Sequence, residues 1–157
     1  MSKIYVDEIA GIASPSTVAI PGHVIQVVGA NDIITATNSN STSFVATTLA
    51  ATITPTSTSS KILVAATFSA TQDGGSNIQS HVTIYRGTTN LRSSGTCNFM
   101  YDHPGGNVGF SGTYMVYDSP ATTSATTYTV YIKVADSSSF FRAVAGTDTI
   151  TLMEIAG

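Results

Sequence analysis

Apolar and polar residues alternate along much of the chain with a period of two, the pattern of a β-strand that buries one face. In residues 60–71 the positions on one face are all apolar: Ile62, Val64, Ala66 and Phe68. The same pattern predicts further strands at residues 23–28, 43–47, 50–54, 79–86, 108–117, 128–134 and 149–155. No segment has the period of an amphipathic helix.

Turn-forming residues separate these strands. Asp73, Gly74 and Gly75 end the longest strand, and residues 87–90 predict a hairpin-like return to Leu91. Eight or nine short strands without a helix indicate an all-β fold, namely an antiparallel β-sandwich of jelly-roll type. The sandwich is expected to occupy residues 23–157 as one domain.

Residues 1–22 are expected to form an extended N-terminal arm. Proline and glycine interrupt this segment too often for a long helix or strand. Ile4, Val6 and Ile9 give it apolar anchors, so we expect the arm to dock on another protein. The alternative is a terminus that lies on the surface of its own domain.

The charge of the chain excludes several classes of partner. Only 10% of the residues are charged, and the six basic residues are scattered, whereas nucleic-acid binding requires clustered Lys and Arg.

No apolar run approaches the ~20 residues that cross a bilayer, so we expect no membrane insertion. The first residues lack the apolar segment of a signal peptide, which predicts synthesis in a cytoplasm without export by that route.

The residue pattern predicts no enzyme, no metal site and no cofactor. His23, His81 and His103 have no metal-ligand spacing, and the glycines around Ser111 do not form a nucleophile elbow. The strongest polar pair, Asp102 and His103, lies in a predicted loop at residues 101–107. We interpret Asp102, His103 and Asn107 as a candidate recognition loop, because exposed loops between sandwich strands often carry recognition.

Two strands are apolar on both faces, which predicts that something covers the second face. Residues 114–117 form one of them, and a central strand buried on both sides within one subunit is an equal alternative there. The C-terminal strand is the other. Tyr and Met are enriched in interface cores, and the candidate subunit-contact residues are Leu152, Met153, Ile155 and Tyr131.

Three segments carry a resemblance to a known family. A Pro- and Ser/Thr-rich turn runs into an apolar strand at residues 54–64 and again at 118–132, and the chain closes with the strand at 150–156. Over residues 23–157 the chain resembles the small β-sandwich domains of tailed-bacteriophage virion proteins. This resemblance implies a homotrimer located in the virion and made in the host cytoplasm, with a structural and adhesive function.

Within that family, the first expectation is a capsid decoration (cement) protein that docks on the major capsid protein or another virion protein. The alternative is a tail-fibre or tail-tip head that binds a host surface glycan, and a remote alternative is a polysaccharide-degrading tailspike. The arm favours decoration, because an extended chain reaches at most about 3.3–3.6 Å per residue. Residues 1–22 are therefore long enough to hold a neighbour and too short to form a shaft.

Overall fold

The structure is a computed structural model that describes residues 21–32, 38–74, 79–92, 98–101, 108–137, 139–143 and 148–157. These ranges contain eleven β-strands and no helix. The strands are β1 (Val24–Asp32), β2 (Asn38–Ser39), β3 (Val45–Ile53), β4 (Lys61–Gly74), β5 (Gln79–Arg86), β6 (Thr89–Asn90), β7 (Asn98–Tyr101), β8 (Val108–Asp118), β9 (Thr126–Val134), β10 (Ser139–Ala143) and β11 (Asp148–Ile155).

The strands form two antiparallel sheets, each four strands wide. The first sheet has the order β1-β11-β4-β8, and β2 and β10 continue the positions of β1 and β11 toward the other end of the sheet. The second sheet has the order β3-β9-β5, and both β6 and β7 pair with the free edge of β5. The prediction of an antiparallel β-sandwich is confirmed.

Five strand pairs are nested in the sequence, one inside the next: β5 with β7, β4 with β8, β3 with β9, β2 with β10 and β1 with β11. The chain therefore folds back on itself as one long ribbon. Pairing of β4 with β10 and β11, and of β5 with β9, then joins the turns of the ribbon into sheets.

The core lies between the two sheets and takes alternate residues from each strand. Its largest fully buried side chain is that of Tyr128, on β9. Near one end, the Ser80 hydroxyl donates to Gln72 Oε1 at 2.6 Å across the sandwich, so that both polar groups are satisfied. The apolar residues of the core are Leu49, Ala51, Ile53, Ile62, Val64, Ala66, Phe68, Ala70, Val82, Ile84, Tyr114, Tyr128, Val130, Ile132, Val134, Ile150 and Leu152.

The alternation along the longest strand is confirmed, but two short predicted strands are one. The predicted strands at 43–47 and 50–54 are parts of the single strand β3 (Val45–Ile53), which pairs with β9 through a bulge between Ala46 and Ala50. In the bulge, the Thr47 hydroxyl donates to the Val130 carbonyl at 2.9 Å and accepts from Leu49 N at 3.2 Å. The Thr47 side chain thus replaces backbone hydrogen bonds that the bulge removes from the β3–β9 ladder. No Gly or Pro lies between Ala46 and Ala50, so the sequence gives no sign of the bulge.

β10 and β11 lie end to end along the same edge of β4, and a carboxylate fills the break between them. Ala70 pairs with Ala143 of β10, and Thr67 pairs with Thr149 of β11. Between these two positions, Ser69 N donates to Asp148 Oδ1 at 2.8 Å. The buried Asp148 side chain therefore takes the place of a strand carbonyl.

We predict that Leu152→Ala lowers the free energy of unfolding by about 2–5 kcal/mol, because it opens a cavity at a fully buried position. Thr151→Ala is the matched control, since Thr151 is the preceding residue and points to the opposite, solvent-facing side of the strand. Its effect should stay below about 1 kcal/mol. Urea denaturation followed by circular dichroism measures both values, and equal losses would contradict the placement of Leu152 in the core.

Candidate interaction surfaces

The most polar site of the described core is the carboxylate of Glu154, on β11. Glu154 is 0% exposed and points between the sheets with Ile150 and Leu152. Gln26 Nε2, on β1, donates to Oε2 at 2.5 Å. Oε1 accepts from the Ser60 hydroxyl at 2.6 Å and from both the hydroxyl and the backbone N–H of Thr56 at 2.7 Å.

These donors keep the buried carboxylate ionised. Burial alone would raise the pKa of Glu154, but hydrogen bonds from Ser60, Gln26 and Thr56 favour the charged form and hold the pKa below its ordinary value. Two of the donors come from the Ser/Thr-rich turn between β3 and β4. Two hydroxyls of that turn, those of Thr56 and Ser60, therefore have the structural role of binding Glu154 in the interior.

A second acid, Asp118 at the end of β8, ties the first sheet to the second. Arg86 Nη1 on β5 donates to both carboxylate oxygens of Asp118 at 2.8 Å. The buried Tyr128 hydroxyl on β9 donates to Asp118 Oδ2 at 2.7 Å. Burial and then the hydrogen bond to Asp118 raise the pKa of Tyr128, which keeps the phenol protonated.

Both acids lie at the same end of the sandwich. Gln26, Glu154, Ile62 and Asp118 are register partners in one row across the first sheet. At this end, Gly22 N donates to the Ala156 carbonyl at 2.8 Å. The first described residues of the chain and its last residues therefore also meet here. We call it the terminal end of the sandwich. The carboxylate oxygens of both acids accept donors from within the chain, as expected for structural groups.

The outer face of the first sheet is apolar near the terminal end. Val27, Met153, Leu63 and Tyr117 are register partners and form one row across all four strands. In the next row, Ala65 pairs with Met115. We call these six residues the outer apolar band. Its members at both edges are well exposed, with Val27 at 58%, Met115 at 57% and Tyr117 at 65%.

The outer face of the second sheet carries an aromatic cluster of different character. Tyr85 and Tyr131 stack with their ring centroids 4.0 Å apart, and Phe44 meets Tyr85 edge-on at 6.2 Å. The Lys133 ammonium lies 4.9 Å from the centroid of the Phe44 ring. All four side chains are half-buried. The rings cover one another, as cross-strand aromatic pairs do in a stable sheet.

The four predicted subunit-contact residues do not form one surface. Leu152 is fully buried in the core, so its side chain is not available to a second subunit. Met153 and Ile155 lie on the outer face of the first sheet, and Tyr131 lies on the outer face of the second. Glu154 shares the inward face of Leu152, where its donors satisfy it.

Residues 114–117 also resolve into two faces. Tyr114 and Val116 pack on the core, whereas Met115 and Tyr117 point outward and are exposed. In the described part of the chain β8 pairs only with β4, so it is an edge strand there and not a strand buried on both sides. The sequence predicts that Met115 and Tyr117 belong to a strand that is apolar on both faces. It does not indicate Val27 and Leu63, because only the strand register places them in one row with Met153 and Tyr117.

The remaining predicted site residues lie outside the described residues. These are the arm positions Ile4, Val6 and Ile9 and the recognition-loop positions Asp102, His103 and Asn107. Among the residues that the structure does describe, no three His, Cys, Asp or Glu side chains come together as metal ligands would. The same ranges contain no helix long and apolar enough to span a membrane.

Neither a protein-family model nor a curated protein matches the chain.

We predict that Ser60→Ala lowers the free energy of unfolding by about 1.5–3 kcal/mol, because it removes a hydrogen bond to a buried charge. Ser59→Ala is the matched control, since Ser59 is the adjacent serine of the same turn, is exposed and does not contact Glu154. It should change stability by less than about 0.5 kcal/mol. Urea denaturation of the two variants tests this, and similar losses would show that the hydroxyl of Ser60 has no special part.

We also predict a pH dependence of stability that Glu154→Gln removes. Because the pKa of Glu154 is lower in the folded state than in the unfolded chain, its carboxylate stabilises the fold above the unfolded value of about 4.3. That contribution is lost as pH falls through the folded value. At pH about 7 the free energy of unfolding of the wild type should exceed that of Glu154→Gln by about 1.5–3 kcal/mol. Urea denaturation at a series of pH values should show this difference in unfolding free energy shrinking on acidification. A difference that stays constant with pH would contradict a link between the protonation of Glu154 and stability.

Proposed function

We propose that this chain is a non-enzymatic structural protein of a tailed-phage virion, a capsid decoration protein that assembles as a homotrimer. The observation that carries the proposal is the outer apolar band, a partly exposed row of uncharged side chains on a domain whose acids Glu154 and Asp118 are bound internally. Such a face suits assembly with other protein subunits. The resemblance of residues 23–157 to virion β-sandwich domains supplies the virion context.

The finer fold that we propose is a jelly roll. In support, the five nested strand pairs are those of an antiparallel ribbon that wraps around a core. The long strands also alternate between the sheets, from β1 in the first to β3 in the second, β4 in the first and β5 in the second, and then β8, β9 and β11 in the same manner. Jelly-roll domains are common in viral capsid proteins.

The chemistry of the buried acids supports a structural role over an enzymatic one. A general acid or base must reach a substrate, and a catalytic carboxylate needs at least one oxygen directed at the reacting group. Both oxygens of Glu154 and both oxygens of Asp118 accept hydrogen bonds from the chain itself. A glycosidase would need two carboxylates that face a cleft, and these two face the core.

The proposed docking partner is the major capsid protein, which the N-terminal arm would hold through Ile4, Val6 and Ile9. The arm joins the sandwich next to Gly22, at the terminal end and close to the outer apolar band. Docking on the shell and contact between copies would thus take place at the same end of the domain. The loop with Asp102, His103 and Asn107 would then serve no receptor.

Electron microscopy of virions labelled with an antibody against this chain tests the proposal. We predict label distributed over the capsid surface. Label confined to the tail tip would replace decoration with the tail-head alternative and a host-surface ligand. Virions that carry no label in any position, while an antibody against the major capsid protein labels the shell in parallel, would contradict the virion assignment.

A further inference from the structure

The free edge of β8 is the longest uninterrupted strand edge that the structure describes. β8 (Val108–Asp118) pairs with β4 along all 11 of its residues, without a bulge. In the described part of the chain β4 is its single neighbour. The opposite edge of β8 therefore carries backbone N–H and C=O groups that pair with none of the described strands.

The other described edges are interrupted, short or covered. β1 has a register shift between Val24 and Gln26, and β3 has the bulge between Ala46 and Ala50. β2 has two residues, and both β6 and β7 pair with the edge of β5. Bulges, short strands, covering segments, proline and charge are the means by which sheet proteins keep an edge from pairing with another chain. β8 has no proline, and its one charged residue is Asp118 at its end.

The chemistry of such an edge selects a β-strand as its ligand, because an extended backbone offers donors and acceptors at the matching spacing. The sequence of β8 indicates which strand. When two copies of β8 are laid antiparallel with all of their residues paired, Thr113 lies opposite Thr113 of the second copy, on a two-fold axis. In this register Gly109 faces Tyr117 of the second copy, and Gly112 faces its Tyr114.

This register matches the smallest residues of the strand with its tyrosines. Glycine within a strand often marks a place where another backbone approaches closely, and an aromatic side chain opposite an edge glycine covers the exposed backbone. The two neighbouring registers that keep the faces together would place Tyr114 opposite Phe110 or opposite a second Tyr114. Each of them would also leave two residues of each strand unpaired. The fully paired register is thus also the sterically matched one.

The inward side of the edge is suited to a glycine at this position. The Arg92 guanidinium carbon lies 5.5 Å from the centroid of the Tyr114 ring, and Nη1 donates to the Tyr114 hydroxyl at 3.3 Å. A partner side chain directly opposite Tyr114 would compete for that space, whereas Gly112 has no side chain. On the same side, Phe110 and Val116 are half-buried at the edge and would face each other across the contact.

We propose that copies of this chain associate in pairs through β8, so that the first sheets of two copies become one continuous antiparallel sheet. The contact is isologous, because the same strand is used on both sides. The inference goes beyond the proposed homotrimer, since a two-fold contact does not generate a three-fold ring. It would instead join a copy in one trimer to a copy in another.

The test is a disulfide at the two-fold axis. Thr113→Cys is made together with Cys97→Ser, which removes the one natural cysteine. In the proposed pair the two Cα atoms at position 113 would lie about 4.5–5.5 Å apart, within the ~4.4–6.8 Å that a disulfide spans. After oxidation with oxidised glutathione, a non-reducing denaturing gel should show a covalent dimer of twice the 16.2 kDa chain.

Thr67→Cys with Cys97→Ser is the matched control. Thr67 is also an exposed threonine, and it pairs directly with Thr113, one strand further from the contact. Its two copies would be separated by three strand spacings, which is about 14 Å. Thr113→Cys should therefore give at least about fivefold more covalent dimer than Thr67→Cys.

Thr113→Lys tests the same contact without a cysteine. It would set two ammonium groups opposite each other, and lysine on an edge strand is a natural barrier to pairing. Light scattering of the wild type should show the mass present at low concentration doubling as the concentration rises. Thr113→Lys should move that doubling to a concentration about threefold higher or more, while Thr67→Lys should associate as the wild type does. Circular dichroism checks that each variant is folded.

Covalent dimer from Thr113→Cys that does not exceed that from Thr67→Cys would overturn the inference. Unchanged association of folded Thr113→Lys would also overturn it. A chain that cross-links as predicted but forms no trimer would overturn the trimer and leave the β8 contact standing. A trimer without the cross-link would do the reverse.

Discussion

The carboxylate of Glu154 joins three parts of the chain at the terminal end of the sandwich: its own strand, the first strand and the β3–β4 turn. Gln26 comes from the first strand, Thr56 and Ser60 come from the β3–β4 turn, and Glu154 itself belongs to the last strand. Burying an isolated carboxylate costs several kcal/mol, so the site is stable only when its donors are all in place. The ends of the ribbon and the turn must therefore come together as a unit.

Asp118 is a second largely buried acid that lies beside a Ser/Thr-rich turn. It terminates β8, just before the turn that leads to β9, and it accepts from Arg86 and Tyr128 of the opposite sheet. Each turn thus lies beside an acid that joins strands distant in sequence. Most of the remaining contact between the two sheets is apolar packing, which is non-directional. The acids add a directional contact at one end, which fixes how the sheets are aligned.

Periodicity was sufficient to locate the seven longest strands, but it missed β2, β7 and β10 and did not indicate what each face contacts. The inward face of β4 followed from the period of two alone. The place of Leu152 in the core did not, because Glu154 lies on the same face and a charged residue is rarely fully buried. The donors that make Glu154 an interior residue are up to 128 positions away in the sequence. No local pattern contains that information, and the same holds for the alignment of Val27 with Tyr117.

The buried acids and the exposed band are linked by register. Gln26, Glu154, Ile62 and Asp118 form the inward row, and the adjacent residue on each strand contributes to the outward row of Val27, Met153, Leu63 and Tyr117. A slip of one residue in β1, β8 or β11 would send its acid or amide outward and its apolar neighbour inward. Since the inward row is stable only in one register, it also fixes the outward row. The polar interior thereby determines which apolar side chains the domain presents to its surroundings.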